Sequence, residues 1–171
     1  MAKSDSFFIR AIARTSGANY VPSDIDLGSF VNLGVKSSTL LRIHNVSIQY
    51  SDDSGPEHPI YANTATPATV CWQLTTQQHS TMVTADDKSL VSSGRIQMFG
   101  DGTNALGNDE IVDMNPQNWK NGYLIGVDTL FFAVDTVGTV ASGEVDCAIV
   151  LECTLENATQ ASATALALSQ Q

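Results

Sequence analysis

Carboxylates are the most plentiful side chains in this sequence that could do chemistry, and they occur in pairs. The pairs are Asp52/Asp53, Asp86/Asp87, Asp109/Glu110 and, within one apolar run, Asp128/Asp135. A glycosidase needs two carboxylates that face each other across a cleft. Read as one strand, the run GYLIGVDTLFFAVDTV (122–137) places Asp128 and Asp135 on opposite faces, because side chains alternate along a strand. The sequence therefore predicts no catalytic dyad in this run.

The histidines and cysteines offer no other kind of active site. His44, His58 and His79 do not occur at the spacings of a zinc site. No nucleophile elbow, phosphate-binding loop or dinucleotide fingerprint is present. An odd number of cysteines without a secretion signal favours free, buried thiols; they are Cys71, Cys147 and Cys153. We therefore expect a protein that is not an enzyme and needs no cofactor.

One polar segment has the composition of a calcium loop. In GDGTNALGNDE (100–110), Asp101, Asn104, Asp109 and Glu110 supply the oxygen ligands that Ca²⁺ prefers. Their spacing is not that of an EF-hand. The two interpretations are a plain polar loop, which is the default, and a calcium ion held at a subunit junction.

Charge is sparse and unevenly distributed. Charged residues make up 15% of the chain and the net charge is −10, which excludes binding of nucleic acid through a general basic surface. Residues 1–45 contain five basic and three acidic residues, whereas the remainder contains three basic and fifteen acidic residues. The N-terminal third of one copy could therefore face the acidic body of another. The alternative is that these charges lie on solvated strand faces.

Apolar and polar residues alternate along most of the chain, which is the period of a β-strand. In EVDCAIVLECTLE (144–156) one face is apolar throughout, and in LLRIHNVSIQY (40–50) the alternation shifts, which predicts a β-bulge near His44–Asn45. Further strands are predicted at 7–13, 30–36, 68–75, 80–84, 89–99 and 122–137. About eight strands without a clear helical period indicate an all-β antiparallel sandwich, jelly roll or barrel.

The chain length predicts a single β-sandwich domain, 1–171, with a short N-terminal segment (1–6) and a C-terminal arm (157–171). Segment 100–122 is rich in Asn, Asp and Gly and is predicted to be a long loop. The tail ATQASATALALSQQ has three open interpretations: a frayed end, a short helix, or an arm laid on a neighbouring subunit.

The run 122–137 is apolar at both parities, which predicts a central strand covered on both faces. Its second face, with Leu124, Leu130, Phe132 and Val134, is a candidate contact with another subunit or with the chain's own arm. The basic N-terminal strand and the long loop add further candidates. The predicted subunit contacts are Arg10, Arg14, Leu124, Leu130, Phe132 and Trp119.

The N-terminus does not match a secretion signal, because Arg10 and Arg14 interrupt its apolar run. No segment reaches the ~18 uninterrupted apolar residues of a transmembrane helix. We therefore expect the protein to stay in the cytoplasm where it is made.

The chain resembles the single jelly-roll capsid proteins of icosahedral viruses. The features that it shares with them are many short strands, low charge, Ser/Thr/Asn-rich faces, an early first strand, an Ala/Ser/Thr tail and free thiols. The resemblance implies a jelly roll that self-assembles into a capsid shell. It implies a virion component, assembled in the host cytoplasm from copies of itself and other capsid proteins. The segment MAKSDSFF is not the basic arm of RNA-wrapping capsid proteins. The resemblance therefore points to membrane-lined shells of bacterial and archaeal viruses, without direct binding of nucleic acid.

Two other functions remain open. A non-catalytic, lectin-like β-sandwich that binds carbohydrate would need an exposed aromatic residue, for which Trp119 is the candidate. A filament subunit that exchanges strands with its neighbour would need export from the cell.

Overall fold

Within the residues that the computed structural model describes (5–34, 38–141 and 143–170), nine strands form two antiparallel sheets that pack face to face. The strands are β1 (Phe7–Arg14), β2 (Val21–Asp26), β3 (Ser38–Asp52), β4 (Ala68–Thr75), β5 (Leu90–Gly100), β6 (Ala105–Met114), β7 (Tyr123–Ile125), β8 (Thr129–Val137) and β9 (Val145–Ala158). A short 3₁₀ helix (Pro116–Asn118) follows β6, and one α-helix, α1 (Gln160–Ser169), follows β9.

The strand order is that of a jelly roll. The first sheet runs β1-β9-β3-β7 and the second runs β2-β8-β4-β5-β6. Strands β1 and β9, β2 and β8, β3 and β7, and β4 and β5 pair with each other, so the chain forms one long antiparallel ribbon that coils and sends successive pairs to alternate sheets. The predicted all-β jelly roll is confirmed, and β6 is an additional strand at the edge of the second sheet.

Alternation along the strands builds the core between the sheets. The apolar face of β9 is buried from Val145 to Cys153, and Leu155 at its end is half-buried. The register of β3 against β9 shifts between Ile43 and Asn45, which confirms the predicted bulge. Trp72 and Phe132 are the largest fully buried side chains, with ring centroids 6.4 Å apart. The indole of Trp72 donates a hydrogen bond to the hydroxyl of Tyr50 at 2.9 Å, so its polar atom is satisfied inside the core.

The prediction of a single strand over 122–137 is wrong. The run contains β7, which pairs with β3 in the first sheet, and β8, which lies between β2 and β4 in the second. The segment Gly126–Asp128 carries the chain from one sheet to the other. Each part is apolar for its own reason, because β7 and β8 contribute to opposite walls of one core.

The chain itself covers the outer face of β8 only in part: Ala133 is buried, Phe131 and Asp135 are half-buried, and Val137 is 66% exposed. Gln73, which pairs with Ala133 of β8 on the outer face, is 1% exposed. Its amide nitrogen donates to the carbonyl oxygen of Thr81 at 3.2 Å, and its amide oxygen accepts from the backbone nitrogen of Val83 at 2.8 Å. The segment 80–84 therefore lies across the outer face of the second sheet and is not the strand predicted there.

Other boundaries differ from the prediction. The strands β2 and β6 were not predicted, and β6 occupies much of the expected loop 100–122. Of the predicted strand 30–36, residues 35–36 lie outside the described residues. The described part is a turn with an isolated bridge between Asn32 and Thr39.

Candidate subunit-contact surfaces

Strand β6 stands at the open edge of the second sheet and is exposed on both faces. Within the described ranges it pairs only with β5, so its other backbone edge is open. Leu106 is 68% exposed and Val112 is 44% exposed. The carboxylates of Asp109 and Glu110 are exposed and make no ion pair with any described residue. An edge of this kind is where a sheet accepts another strand.

Strand β1 stands at the edge of the first sheet and carries a basic and apolar stripe. Phe8, Arg10, Ile12 and Arg14 alternate along β1, so they share its outer face, and all four are exposed. The guanidinium of Arg10 lies 5.6 Å from the centre of the Phe8 ring. We call these four residues the β1 stripe; it contains the predicted contacts Arg10 and Arg14.

Arg14 already has a partner within the chain. Its guanidinium forms a two-pronged ion pair with Asp146, with donor–acceptor distances of 2.6 and 2.8 Å. That hydrogen bonding, together with the negative charge of Asp146, raises the pKa of Arg14. Arg10 makes no ion pair in the described part of the chain, so it is the freer cation of the stripe.

The β1 stripe and β6 lie at opposite lateral edges of the sandwich. Strand β1 packs beside β2, the far edge of the second sheet. The segment after β6 instead crosses to β3, where the side-chain amide of Gln117 bonds both the backbone nitrogen and the carbonyl oxygen of Val46, at 3.1 and 3.0 Å. Of the four edge strands, β1, β2, β6 and β7, the strands β1 and β6 therefore lie on opposite sides of the molecule.

The C-terminal arm is docked on its own chain. Helix α1 begins at the cap Thr159 and returns over the outer face of the first sheet. Gln170, which is 3% exposed, accepts a hydrogen bond from the backbone of Gly126 at 3.0 Å and donates to the carbonyl of Leu124 at 2.6 Å. The hydroxyl of Thr76 donates to the carbonyl of Gln170 at 2.6 Å. The arm therefore contacts Leu124 through its backbone carbonyl, and a subunit contact of the Leu124 side chain stays a prediction.

A cavity of about 900 Å³ separates α1 from the sheet, lined by Leu40, Leu124, Ala165 and Leu166 among others. A part-buried ion pair forms part of its wall. Arg42 donates to both oxygens of Glu156 at 2.7 and 2.8 Å and to the carbonyl of Asn121 at 2.6 Å. The hydrogen bond to Glu156 raises the pKa of Arg42. The pair ties β3 to β9 and to the segment before β7.

Two predicted contact residues are not available to a partner. Leu130 and Phe132 are both 0% exposed and belong to the core between the sheets. The prediction assigned them to an outer face because it treated 122–137 as one strand. Trp119 is 37% exposed and lies against Tyr123, with ring centroids 5.4 Å apart. It therefore remains a surface residue beside the short edge strand β7.

The four predicted calcium ligands do not converge. The carboxylate of Asp101 accepts bonds from the backbone of Thr103 and from the backbone and side chain of Asn104, and these bonds lower the pKa of Asp101. Asp109 and Glu110 are successive residues of β6 and point to opposite faces. Asp101 therefore closes a turn, and the other carboxylates do not complete a site around it.

His79, Ser89 and Asp87 have the residue types of a hydrolytic triad, but their hydrogen bonds run in an order that does not activate the serine. Nε2 of His79 lies 2.7 Å from the hydroxyl of Ser89, which donates to Asp87 at 2.6 Å. Because the serine proton points to the carboxylate, His79 donates to Ser89 instead of accepting its proton. Ser89 is 1% exposed. The three residues fasten the segment 76–89 and do not present a nucleophile.

The cysteines are free thiols, as predicted, but only Cys147 and Cys153 are buried, whereas Cys71 is half-buried. Burial raises the pKa of Cys147 and of Cys153 to about 12, and it also raises the pKa of Cys71. A thiol with a raised pKa is a poor nucleophile at neutral pH. In the part of the chain that the structure covers, no helix is long and apolar enough to cross a membrane.

No protein-family model matches the sequence, and no curated protein matches it. Among solved structures, VP1 of human polyomavirus 12 in complex with 3'-sialyllactosamine has 9% identity and a TM-score of 0.46, covering 91% of this chain and 100% of that one. An unassembled VP1 pentamer of Washington University polyomavirus has 8% identity and a TM-score of 0.40, covering 83% and 76%. PorU from Porphyromonas gingivalis has 10% identity and a TM-score of 0.40, covering 90% and 13%. The fold assignment therefore rests on the strand pairing described above.

Proposed function

We propose that this protein is a structural subunit that self-assembles into the capsid shell of a virus. The observation that carries the proposal is β6, a ten-residue edge strand exposed on both faces. Proteins that work alone blunt or cover such edges, because an open strand edge pairs with other chains. The three carboxylates of β6 oppose its pairing with a second β6 but leave its edge open to a strand of opposite charge.

The surfaces of the molecule support a building-block role. The exposed apolar residues Phe8 and Ile12 lie on β1, and Leu106 and Val112 lie on β6. Both groups are on rigid strands at the rim of the sandwich. Many modest contacts of this kind, repeated in every copy, stabilise a shell although each one is weak.

The proposal has further parts. The chain would be located in the virion and assembled in the host cytoplasm, with copies of itself and other capsid proteins as partners. Direct binding of nucleic acid is not expected of a chain with a net charge of −10. The whole chain, 1–171, would act as one sandwich, in a shell that can stand beside an internal membrane.

Size-exclusion chromatography with light scattering, followed by electron microscopy, tests this function. We expect rings, shells or other closed oligomers whose abundance increases with protein concentration and changes with ionic strength. A protein that stays monomeric at high concentration under every salt condition would contradict the proposal.

A further inference from the structure

We propose that β6 of one copy pairs edge to edge with β1 of a second copy. This inference rests on the proposed function and names the contact through which the subunits join. Both strands are at sheet edges, and they have similar lengths, with eight residues in β1 and ten in β6. In the described residues, β1 pairs only with β9 and β6 only with β5, so each has one open edge.

The charges of the two edges favour this pairing over the pairing of either strand with a second copy of itself. Strand β1 contains two arginines and no acidic residue, whereas β6 contains three acidic residues and no basic one. Two copies of β1, or two copies of β6, would place like charges side by side, which is unfavourable across a pair of strands. Pairing β1 with β6 places opposite charges together. The same charges therefore oppose pairing of the same strand from two copies and favour pairing of β1 from one copy with β6 from the other.

The charges without partners lie where such a pair would bring them together. Arg14 and Asp113 already form ion pairs within the chain, with Asp146 and Arg95 respectively. Arg10 in the middle of β1, and Asp109 and Glu110 in the middle of β6, form none with the described residues. They are the charges available to a second copy.

An antiparallel register with Arg10 opposite Glu110 also matches the apolar residues. Two positions along in each strand, Phe8 then faces Val112, and an aromatic side chain opposite a β-branched one stabilises a strand pair. Phe8 is 54% exposed and Val112 is 44% exposed in the single chain, so both would lose contact with water. In this register one ion pair, Arg10 with Glu110, and one apolar pair, Phe8 with Val112, therefore form next to each other.

The position of the edges determines the kind of assembly. Because β1 and β6 lie at opposite sides of the sandwich, the contact joins two different surfaces and leaves one of each free at the ends of a dimer. Such head-to-tail contacts continue until they close a ring or extend as a filament. A twofold dimer cannot use this contact on both sides, so the expected product is a ring where the rotation between copies closes, and a filament where it does not.

Exchanging the two charges tests the contact. Arg10→Glu and Glu110→Arg should each raise the concentration at half-assembly by about tenfold or more, because like charges then meet at every junction of a ring. The double variant Arg10→Glu/Glu110→Arg should return to within about threefold of wild type. Lys88→Glu, the same change of charge on an exposed loop, is the matched control and should assemble as wild type does.

The outcomes separate this contact from the general function. If wild type assembles and both single variants assemble equally well, or if the double variant is no better than the single ones, the β1–β6 pairing is wrong and the proposed function stands. If wild type never assembles, the proposed function itself fails. Circular dichroism checks the fold of each variant. Where a charge reversal prevents folding, Arg10→Gln and Glu110→Gln replace it, with an expected rise of about threefold.

Discussion

Phe132→Ala is expected to lower the free energy of unfolding by about 3–5 kcal/mol, the cost of truncating a fully buried aromatic side chain. Phe132 is 0% exposed and packs on Trp72 in the centre of the core. The cavity left behind has rigid walls from two sheets, so the surrounding side chains cannot fill it. Urea unfolding of the monomer, followed by tryptophan fluorescence, measures the change.

Phe8→Ala is the matched control for this prediction. It makes the same chemical change on the β1 stripe, where the side chain is 54% exposed, and the stability of the monomer should change by less than about 0.5 kcal/mol. Assembly should weaken instead. The opposite pattern, a stable Phe132→Ala monomer that no longer assembles, would show that Phe132 is a subunit contact and would contradict the core described here.

Arg42→Met is expected to destabilise the fold by about 1–3 kcal/mol, between the costs of breaking an exposed and a buried ion pair. The side chain of Glu156 is 7% exposed and that of Arg42 is 16% exposed. The substitution removes both guanidinium bonds from a carboxylate that water hardly reaches, and it removes the donor to the carbonyl of Asn121. Chemical denaturation under monomeric conditions measures the loss.

Two further variants determine whether burial of the pair is the cause. The double variant Arg42→Met/Glu156→Leu should recover part of the loss, since it also removes the carboxylate that Arg42→Met leaves without its guanidinium. Arg14→Met removes the equally short pair with Asp146, but Arg14 is exposed, so its urea midpoint should stay close to that of wild type. Equal effects of Arg42→Met and Arg14→Met would mean that burial does not matter here.

The sequence predicts the strands that are half-buried and fails where exposure or crossing changes the pattern. Strands β3, β4, β5 and β9 have one apolar face, and their positions and the bulge in β3 are read from alternation alone. Strand β6 has no buried face, so its residues obey no such pattern, and its Asn, Asp and Gly content indicates a loop. The alternation of apolar and polar residues therefore does not reveal β6, the strand on which the proposed function depends.

Two turn-forming residues inside the apolar run indicate the division between β7 and β8. Gly126 and Asp128 are typical of turns and lie at the point where the chain changes sheet. A turn at these residues places Leu130 and Phe132 on a second strand and on its inner face, because the face of a residue depends on the strand to which it belongs. Helix α1 also has a signal, the cap Thr159, which accepts a bond from the backbone of Ser162.

Long-range contacts account for what no local pattern could predict. Segment 80–84 has the composition of a strand, but the side chain of Gln73 holds it flat against a sheet. Gln170 holds the C-terminal arm on its own chain through bonds to segments distant in sequence. Each depends on one buried amide whose partners become adjacent only after folding. The basic character of β1, by contrast, was readable from charge alone.

The central claim is that the open edge of β6 is covered by another copy of the chain, and hydrogen exchange measures this directly. Amide exchange over residues 105–114 is compared between a dilute, monomeric sample and a concentrated one. We expect the amides on the open edge of β6 to exchange at least about tenfold more slowly in the concentrated sample, while those of the exposed segment 84–88 stay unchanged. Equal exchange of β6 at both concentrations, in a sample that has assembled, would contradict the claim.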